Sequence, residues 1–374
     1  MKILYFFAER STPMYQWQRI HFFDELSRHG IQIEVFNPEL CQSFEEAQEK
    51  VVRQVKNEHY DLFMTCYSDE RKILRSTLED IKQCSIPRLL FTPDNLSIPY
   101  FDRQLAASFD LVWLTAKETR PLYEKWGAKT FFAPYAANPF TYKYKEGPIL
   151  RSICFIGTPH GSRAKVINKI SRTGVDMDLF FGRSDKGRNK VVENIIAPKY
   201  ELPPESKLEL FRNFIRFSEG RSILAALILS KIKGAETVAD KENIHKYSSQ
   251  PFDKMIEMYS SYALSLSFSS YGMTDIFDHN VPVVNLRNFE IPMCGGIQFC
   301  RYSNEMAEYY EDGKEIVLYR NDQELSDKVR YYINNASDQE LQRMKQAARL
   351  RSENENTWMK RFDVAFKMLG LKNY

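Results

Sequence analysis

The sequence predicts an α/β protein made of two Rossmann-like halves, each a parallel sheet covered by helices. Three observations carry that expectation. Short apolar runs bounded by turn residues recur along the 374 residues, and amphipathic helical patterns fall between them. Two of those patterns stop at a glycine, the usual end of a helix. A polar, proline-flanked stretch at 138–148 interrupts the series, which then begins again at Ile153.

In the first half the predicted strands are 3–7, 31–36, 62–66, 88–92, 111–114 and 130–133. Helical patterns cover 15–29, which ends at Gly30, then 44–57, and 117–126, which ends at Gly127. The stretch 138–148 lacks any period and reads as a linker. The second series places strands at 153–156, 177–181, 264–268, 283–285, 297–300 and 316–319, with helices at 324–334, 338–349 and 356–369. The predicted division is therefore a first domain at 1–140, a second at 150–355, and a terminal helix at 356–374.

Composition narrows the function classes. Hydrophobic content of 43% and charged content of 27% are those of a soluble globular protein. A net charge of +3 does not call for nucleic acid as a partner. No run reaches the roughly 18 apolar residues of a membrane span. The start, Met1 to Phe7, lacks the length and cleavage site of a signal peptide and reads as a first strand. Six cysteines without C-x-x-C spacing and six dispersed histidines argue against a disulfide framework or zinc site, and fit a reducing cytoplasm.

The residues that could carry chemistry cluster after predicted strands. In R-N-F-E-I-P-M-C-G-G (287–296), a short helix bears Glu290 and ends at Gly295 and Gly296 before the next apolar run. A carboxylate there can accept two hydroxyls of a ribose or sugar, and the glycines would let a ligand approach closely. Arg287, one helical turn earlier, can pair with Glu290 or touch the sugar. The loop F-I-G-T-P-H-G-S-R (155–163) runs from strand to helix, so backbone N–H groups, a helix start and Arg163 converge around Gly157, a suitable place for a diphosphate. Ser270 and Tyr271 stand in a polar loop after the strand 264–268 and could touch phosphate or sugar.

In the first half, the loop 8–13 and the turn T-P-D-N (92–95) follow strands. Asp94 is a candidate general base for an acceptor hydroxyl and equally a turn residue. Glu9 is an alternate base; His21 falls inside an amphipathic helix and reads as a packed side chain. No G-x-G-x-x-G appears, so this half is not expected to hold a dinucleotide. Asp176 and Asp178 form the text D-x-D, but they sit on one face at the start of a strand and are expected to be a decoy rather than a metal site.

Three patterns together resemble the CgeB-like (spore-maturation-protein-like) glycosyltransferases, which carry a C-terminal domain of the glycosyl transferases group 1 type. They are R-x-F-E-x-P-x-C-G-G followed by E-x-G-K-E-I-V-x-Y (287–319), F-x-G-x(5)-R (155–163), and T-W-x-x-R (357–361). The resemblance covers about residues 150 to 365; residues 1–140 match in architecture and around Asp94. It implies a GT-B fold of two facing Rossmann-like domains with a C-terminal helix crossing back to the first. It also implies transfer of a sugar, hexosyl in type, from a nucleotide diphosphate to a hydroxyl of a glycan or lipid-linked acceptor, in bacterial polysaccharide or glycoconjugate synthesis. The donor would lie on the second domain, with Arg163 on the diphosphate and Glu290 on the ribose. No cofactor or metal is implied. The large retaining family with an E-x7-E motif has a first carboxylate where this chain has Pro282. CgeB-like chains commonly lack it too, and the stereochemistry is left open. Two rivals share these residues: a nucleotide-sugar epimerase, and a non-catalytic scaffold that binds glycan or a protein.

The region 184–250 is the least legible. Its apolar and basic residues at 208–217 and 222–232 fit either ordinary packed helices or an amphipathic surface lying on the cytoplasmic face of the inner membrane.

Overall fold

The computed structural model describes residues 1–10, 13–159, 162–182, 198–204, 206–234, 236–277 and 280–371. It divides into two compact units. The first holds the described residues of Met1–Pro134, Val191–Arg221 and Trp358–Tyr374; the second holds those of Tyr135–Lys190 and Ser222–Thr357.

The first unit is built on six parallel strands: β1 (Lys2–Phe6), β2 (Gln32–Phe36), β3 (Leu62–Thr65), β4 (Arg88–Thr92), β5 (Leu111–Leu114) and β6 (Thr130–Phe132), in the spatial order β2-β1-β3-β4-β5-β6. β3, β4 and β5 are buried along their whole length, as strands covered on both faces require. The helix Phe44–Asn57 follows its predicted span and buries Ala47, Val51 and Val55, spaced by four. The predicted helix 15–29 is instead broken into Pro13–Gln18, a π-helical turn Arg19–Phe23, and Asp24–Arg28. Three consecutive side chains, His21, Phe22 and Phe23, are buried in that wider turn.

The C-terminal helix Trp358–Met368 belongs to this unit. The buried Glu25 carboxylate accepts hydrogen bonds from the backbone N–H groups of Trp358 (3.2 Å) and Met359 (2.7 Å), satisfying donors that a helix start leaves open. The Trp358 indole donates to His21 Nδ1 at 3.1 Å. Its ring packs among Phe22, Phe91, Trp113 and Trp17. The sequence-predicted second domain ran unbroken from 150 to 355, whereas the described residues of 191–221 return to the first unit. Asn213 fixes that excursion: its Nδ2 donates to Ser97 O (2.6 Å) and its Oδ1 accepts from Tyr100 N (2.9 Å).

The second unit holds β7 (Leu150–Ile156), β8 (Met177–Phe180), β9 (Ile244–Tyr247), β10 (Tyr262–Leu266), β11 (Gln298–Arg301) and β12 (Val317–Tyr319), all parallel, ordered β12-β11-β10-β7-β8-β9. The chain starts at the centre with β7, builds outward to β9, then reverses to β10 on the other side. That reversal opens a crevice at the carboxyl ends of β7 and β10. Two expectations fail here. Residues 283–285 form no strand, only a loop beside the isolated Ser270–Pro282 bridge. β9, with three of its four residues exposed, was not anticipated, because an edge strand with the sequence I-H-K-Y shows no apolar run.

Candidate functional site

The helix Arg287–Met293 points its first turn at the crevice between β7 and β10. The Arg287 guanidinium donates from Nη1 to Ile156 O, the last carbonyl of β7, and to the Tyr259 hydroxyl at 2.6 Å. Two asparagines brace the start of this helix. Asn285 Oδ1 accepts from Arg287 N (3.0 Å) while its Nδ2 donates to Phe268 O (2.9 Å), and Asn288 Oδ1 accepts from Asn285 N (2.8 Å). The loop after β10 and the helix are thereby locked together.

Glu290 is buried, 7% exposed. The Tyr142 hydroxyl donates to its Oε1 at 2.7 Å, and Arg287 Nε lies 4.0 Å from its Oε2. Burial, and then the Glu290 charge, push the Tyr142 phenol well above its ordinary pKa, so it stays a donor. Arg349 secures the peptide around this pair by donating to Tyr142 O, Met293 O and Pro139 O (3.0 Å).

Arg163, in the helix Ser162–Ser171, lays its guanidinium 5.5 Å from the Phe268 ring centroid and donates to Thr158 O at 3.3 Å. Burial and then the nearby charge of Arg287 hold its pKa below the ordinary arginine value. Arg287 behaves oppositely: burial works against its charge, but Tyr259 and Glu290 outweigh burial and raise the pKa. Both remain protonated, because an arginine titrates far above neutral pH. Two cations thus feel each other at the switch point, an arrangement that an anion would relieve. Gly157, at φ +150°, makes the turn out of β7, and its N–H donates to Phe180 O at 3.0 Å. His160 and Gly161 of this loop lie outside the described residues.

The Ser270 hydroxyl donates to Asp275, and Asn280 Nδ2 donates to both Ser270 Oγ (2.8 Å) and Asp275 Oδ1 (3.0 Å). Tyr271 holds the loop through its backbone: its N–H donates to Val281 O at 2.8 Å and its carbonyl accepts from the Thr274 hydroxyl at 2.7 Å. Asp275 escaped the sequence reading; an acid in a loop without a motif gives no local signal. It faces a cavity of about 540 Å³ at the ends of β10, β11 and β12, lined also by Phe268, Lys165, Arg301 and Arg320.

The glycine pair needs a correction. Gly295 N donates to Pro292 O (2.8 Å) and Gly296 N to Ile291 O (2.9 Å), with Gly295 at φ +70°. This is a Schellman helix stop. A Cβ on Gly295 would stand 2.4 Å from the Tyr144 ring, and one on Gly296 would stand 2.8 Å from the Tyr259 carbonyl. Protein fills the space reserved for a ligand in the sequence reading.

In the first unit Asp94 is exposed and adopts φ +55°, a left-handed conformation that aspartate tolerates better than most residues. The next residue holds it there. Buried Asn95 donates to Ala116 O (2.9 Å) and accepts from Thr115 N (2.9 Å), Thr115 Oγ1 (2.9 Å) and Ala116 N (2.8 Å), tying the end of β4 to the end of β5. Glu9 differs from its expected role. It is 7% exposed and clamped by both Arg19 Nε and Arg19 Nη2 (2.6 Å), so both of its oxygens are engaged by a guanidinium. In the D-x-D text, Asp178 accepts from the Tyr262 hydroxyl (2.6 Å) and Asp176 lies 3.8 Å from His245, so the two carboxylates serve different neighbours. Among the described residues no group of three or more His, Cys, Asp or Glu could hold a metal ion, and no helix is long and apolar enough to cross a membrane.

Comparison with known proteins bears on the fold. Residues 221–366 match the family model described as glycosyl transferase-like. No curated protein sequence matches the chain. Among solved structures, Alr3699/HepE of Anabaena in complex with UDP is similar at a TM-score of 0.56 and 14% identity, over 99% of this chain and 100% of its own. A glycosyltransferase from Rickettsia africae gives 0.55 at 10% identity, over 99% of both chains. Sucrose-phosphate synthase from Thermosynechococcus elongatus gives 0.53 at 11% identity, over 100% of both. The chain therefore has the GT-B fold, two six-stranded parallel α/β units, and its residues 221–366 are similar to the glycosyl transferase-like family.

Proposed function

We propose that the protein transfers a sugar from a nucleotide diphosphate donor to an acceptor hydroxyl, with the donor bound on the second unit. The observation that carries this reading is the pair Arg163 and Arg287, held in each other's field at the β7/β10 reversal beside one buried carboxylate. A diphosphate relieves their repulsion. Its negative charge grows as the glycosidic bond to the leaving group breaks, so two fixed guanidiniums stabilise the transition state more than the ground state. Glu290, a buried carboxylate beside Arg287, takes the ribose hydroxyls. The loop of Ser270 and Tyr271 shapes the wall through Asp275. Asp94, exposed after β4, removes the acceptor proton.

UDP and UDP-glucose in the Anabaena structures support a nucleotide sugar as the donor class. The motifs at 155–163, 287–319 and 357–361 support membership of the CgeB-like group. A hexosyl donor, charge neutralisation by arginine in place of a metal, and a cytoplasmic role in bacterial polysaccharide or glycoconjugate assembly complete the proposal.

The test is thermal stabilisation by nucleoside diphosphates and nucleotide sugars, with and without magnesium, on the wild type and on Arg163→Ala and Glu290→Ala. A ligand that binds the folded state raises the melting temperature with occupancy. A magnesium-independent rise for one base, lost in both variants, is the expected result. No rise for any nucleotide at millimolar concentration would overturn the donor site.

A further inference from the structure

The first unit contains a second cavity, of about 770 Å³, between the loop after β3, the loop after β4 and the helix Lys207–Ile215. From it we infer a binding site for a phosphate group carried on a lipid. The inference rests on charges the donor site does not use.

The carboxylates that line the cavity are already engaged. Asp69 takes Arg71 through both of its oxygens, with Nε at 2.8 and 3.0 Å, and Glu209 accepts from Arg71 Nη1 at 3.1 Å and closes the Ser206 capping box. Glu70 lies 3.7 Å from Arg75. Three further arginines line the same cavity, Arg103, Arg212 and Arg216, and among the described residues none of them has an ion pair. Arg216 is laid on the Tyr100 ring, 5.2 Å from its centroid. Tyr100 is itself fixed by edge contact with Trp126 at 5.3 Å and by its N–H bond to Asn213. A guanidinium resting over an aromatic ring is restrained there, and its fork of N–H donors suits a phosphate or carboxylate.

The helix also says what carries the anion. Asn213 and Glu209 sit on its inner face, pinned to the loop after β4 and to Arg71. Arg212 and Arg216, spaced by four, form the next stripe. Beyond them, Leu208, Phe211 and Ile215 are 57%, 47% and 44% exposed, spaced by three and four. One helix therefore presents an apolar outer edge, a cationic rim and an anchored inner face in succession. That is the profile of an interfacial helix that seats an acyl or isoprenoid chain next to its phosphate. A soluble sugar phosphate would use the rim and leave the edge idle.

The test uses the full chain and three probes followed by calorimetry: dihexanoyl phosphatidic acid below its micellar concentration, glucose 1-phosphate, and hexyl glucoside. The phosphatidate is expected to bind at least tenfold more tightly than glucose 1-phosphate, and hexyl glucoside not to bind. In the double variant Arg212→Gln/Arg216→Gln, with an unchanged melting temperature as the control for folding, phosphatidate affinity should fall at least tenfold. In Leu208→Ser/Phe211→Ser only the advantage over glucose 1-phosphate should disappear. Equal affinity of both phosphates for the wild type would overturn the lipid assignment. Binding of hexyl glucoside as strong as that of the phosphatidate, or phosphatidate binding unchanged in the arginine variant, would overturn the phosphate assignment. UDP binding, measured in parallel, reports the second unit alone, so its failure leaves this result readable.

Discussion

Replacing Glu290 by glutamine separates its observed contacts with Tyr142 and Arg287 from its proposed role toward the ribose. The amide is isosteric, so the Tyr142 hydroxyl still finds an acceptor, but the charge 4.0 Å from Arg287 is gone. A hydrogen bond to a charged group contributes about 1.5–3 kcal/mol and a neutral one about 0.5–1.5, so the fold should lose about 1–2 kcal/mol. The Coulomb attraction at this distance is about 4 kcal/mol at an effective dielectric near 20, most of it offset by desolvation of a nearly buried carboxylate. For ligands the two roles have opposite signs. Pyrophosphate, which has no ribose, meets a more positive site and should bind at least as well as to the wild type. UDP loses a charged acceptor for its hydroxyls, worth about 1.5 kcal/mol or more, and should bind about tenfold more weakly. Isothermal titration with both ligands measures the difference. Equal weakening of UDP and pyrophosphate would refute the ribose assignment and leave Glu290 as a residue that only positions Arg287.

Gly295→Ala places a Cβ 2.4 Å from the Tyr144 ring at φ +70°, and should cost about 2–3 kcal/mol in chemical denaturation while UDP affinity per folded molecule is retained. Asp94→Asn keeps a residue that tolerates the left-handed turn but removes the base; turnover should fall by about 10²–10⁴ while UDP binding is unchanged. Asp102 is buried against the Ser68 and Tyr123 hydroxyls, and burial raises its pKa to about 6. A carboxyl with a raised folded-state pKa contributes stability that is complete below about pH 4 and is lost as the pH rises through 6. Asp102→Asn should therefore flatten the pH dependence of stability between pH 4 and 7, a window worth about 3 kcal/mol, as followed by denaturation at each pH.

The central strands β3, β4 and β5 of the first sheet were legible because strands buried on both faces write apolar runs, such as L-V-W-L at 111–114. The candidate site was legible where chemistry and position coincide: Arg163 and Arg287 at the starts of helices that follow central strands. It was illegible where a tertiary partner decides the meaning. Glu9 and Asp94 both follow strands, and only the arrival of Arg19 ten residues later shows that Glu9 is spoken for. Gly295 and Gly296 have the same sequence text whether a ligand or Tyr144 occupies the space beside them. The return of 198–221 to the first unit depends on Asn213 meeting the loop after β4, more than a hundred residues away in the chain, and no local period records it.

Comparing the two reversal points favours the second unit as the place for the proposed anionic donor. In the first sheet the order β2-β1-β3 reverses at β1, and the loop leaving β1 carries Glu9 and Arg10. Both are neutralised locally: Arg19 covers Glu9, and Glu39 takes Arg10 through both oxygens at 2.7 and 2.8 Å. A diphosphate there would have to displace buried carboxylates that are already satisfied. In the second sheet the equivalent helix starts carry Arg163, held among the described residues by a carbonyl and the Phe268 ring and in the field of Asp275, and Arg287, whose carboxylate neighbour stands back at 4.0 Å. The same architecture thus presents a compensated crevice in one unit and an electropositive one in the other. The difference lies in where glutamates were placed rather than in the fold, so introducing a carboxylate opposite Arg163 should abolish nucleotide binding without disturbing either sheet.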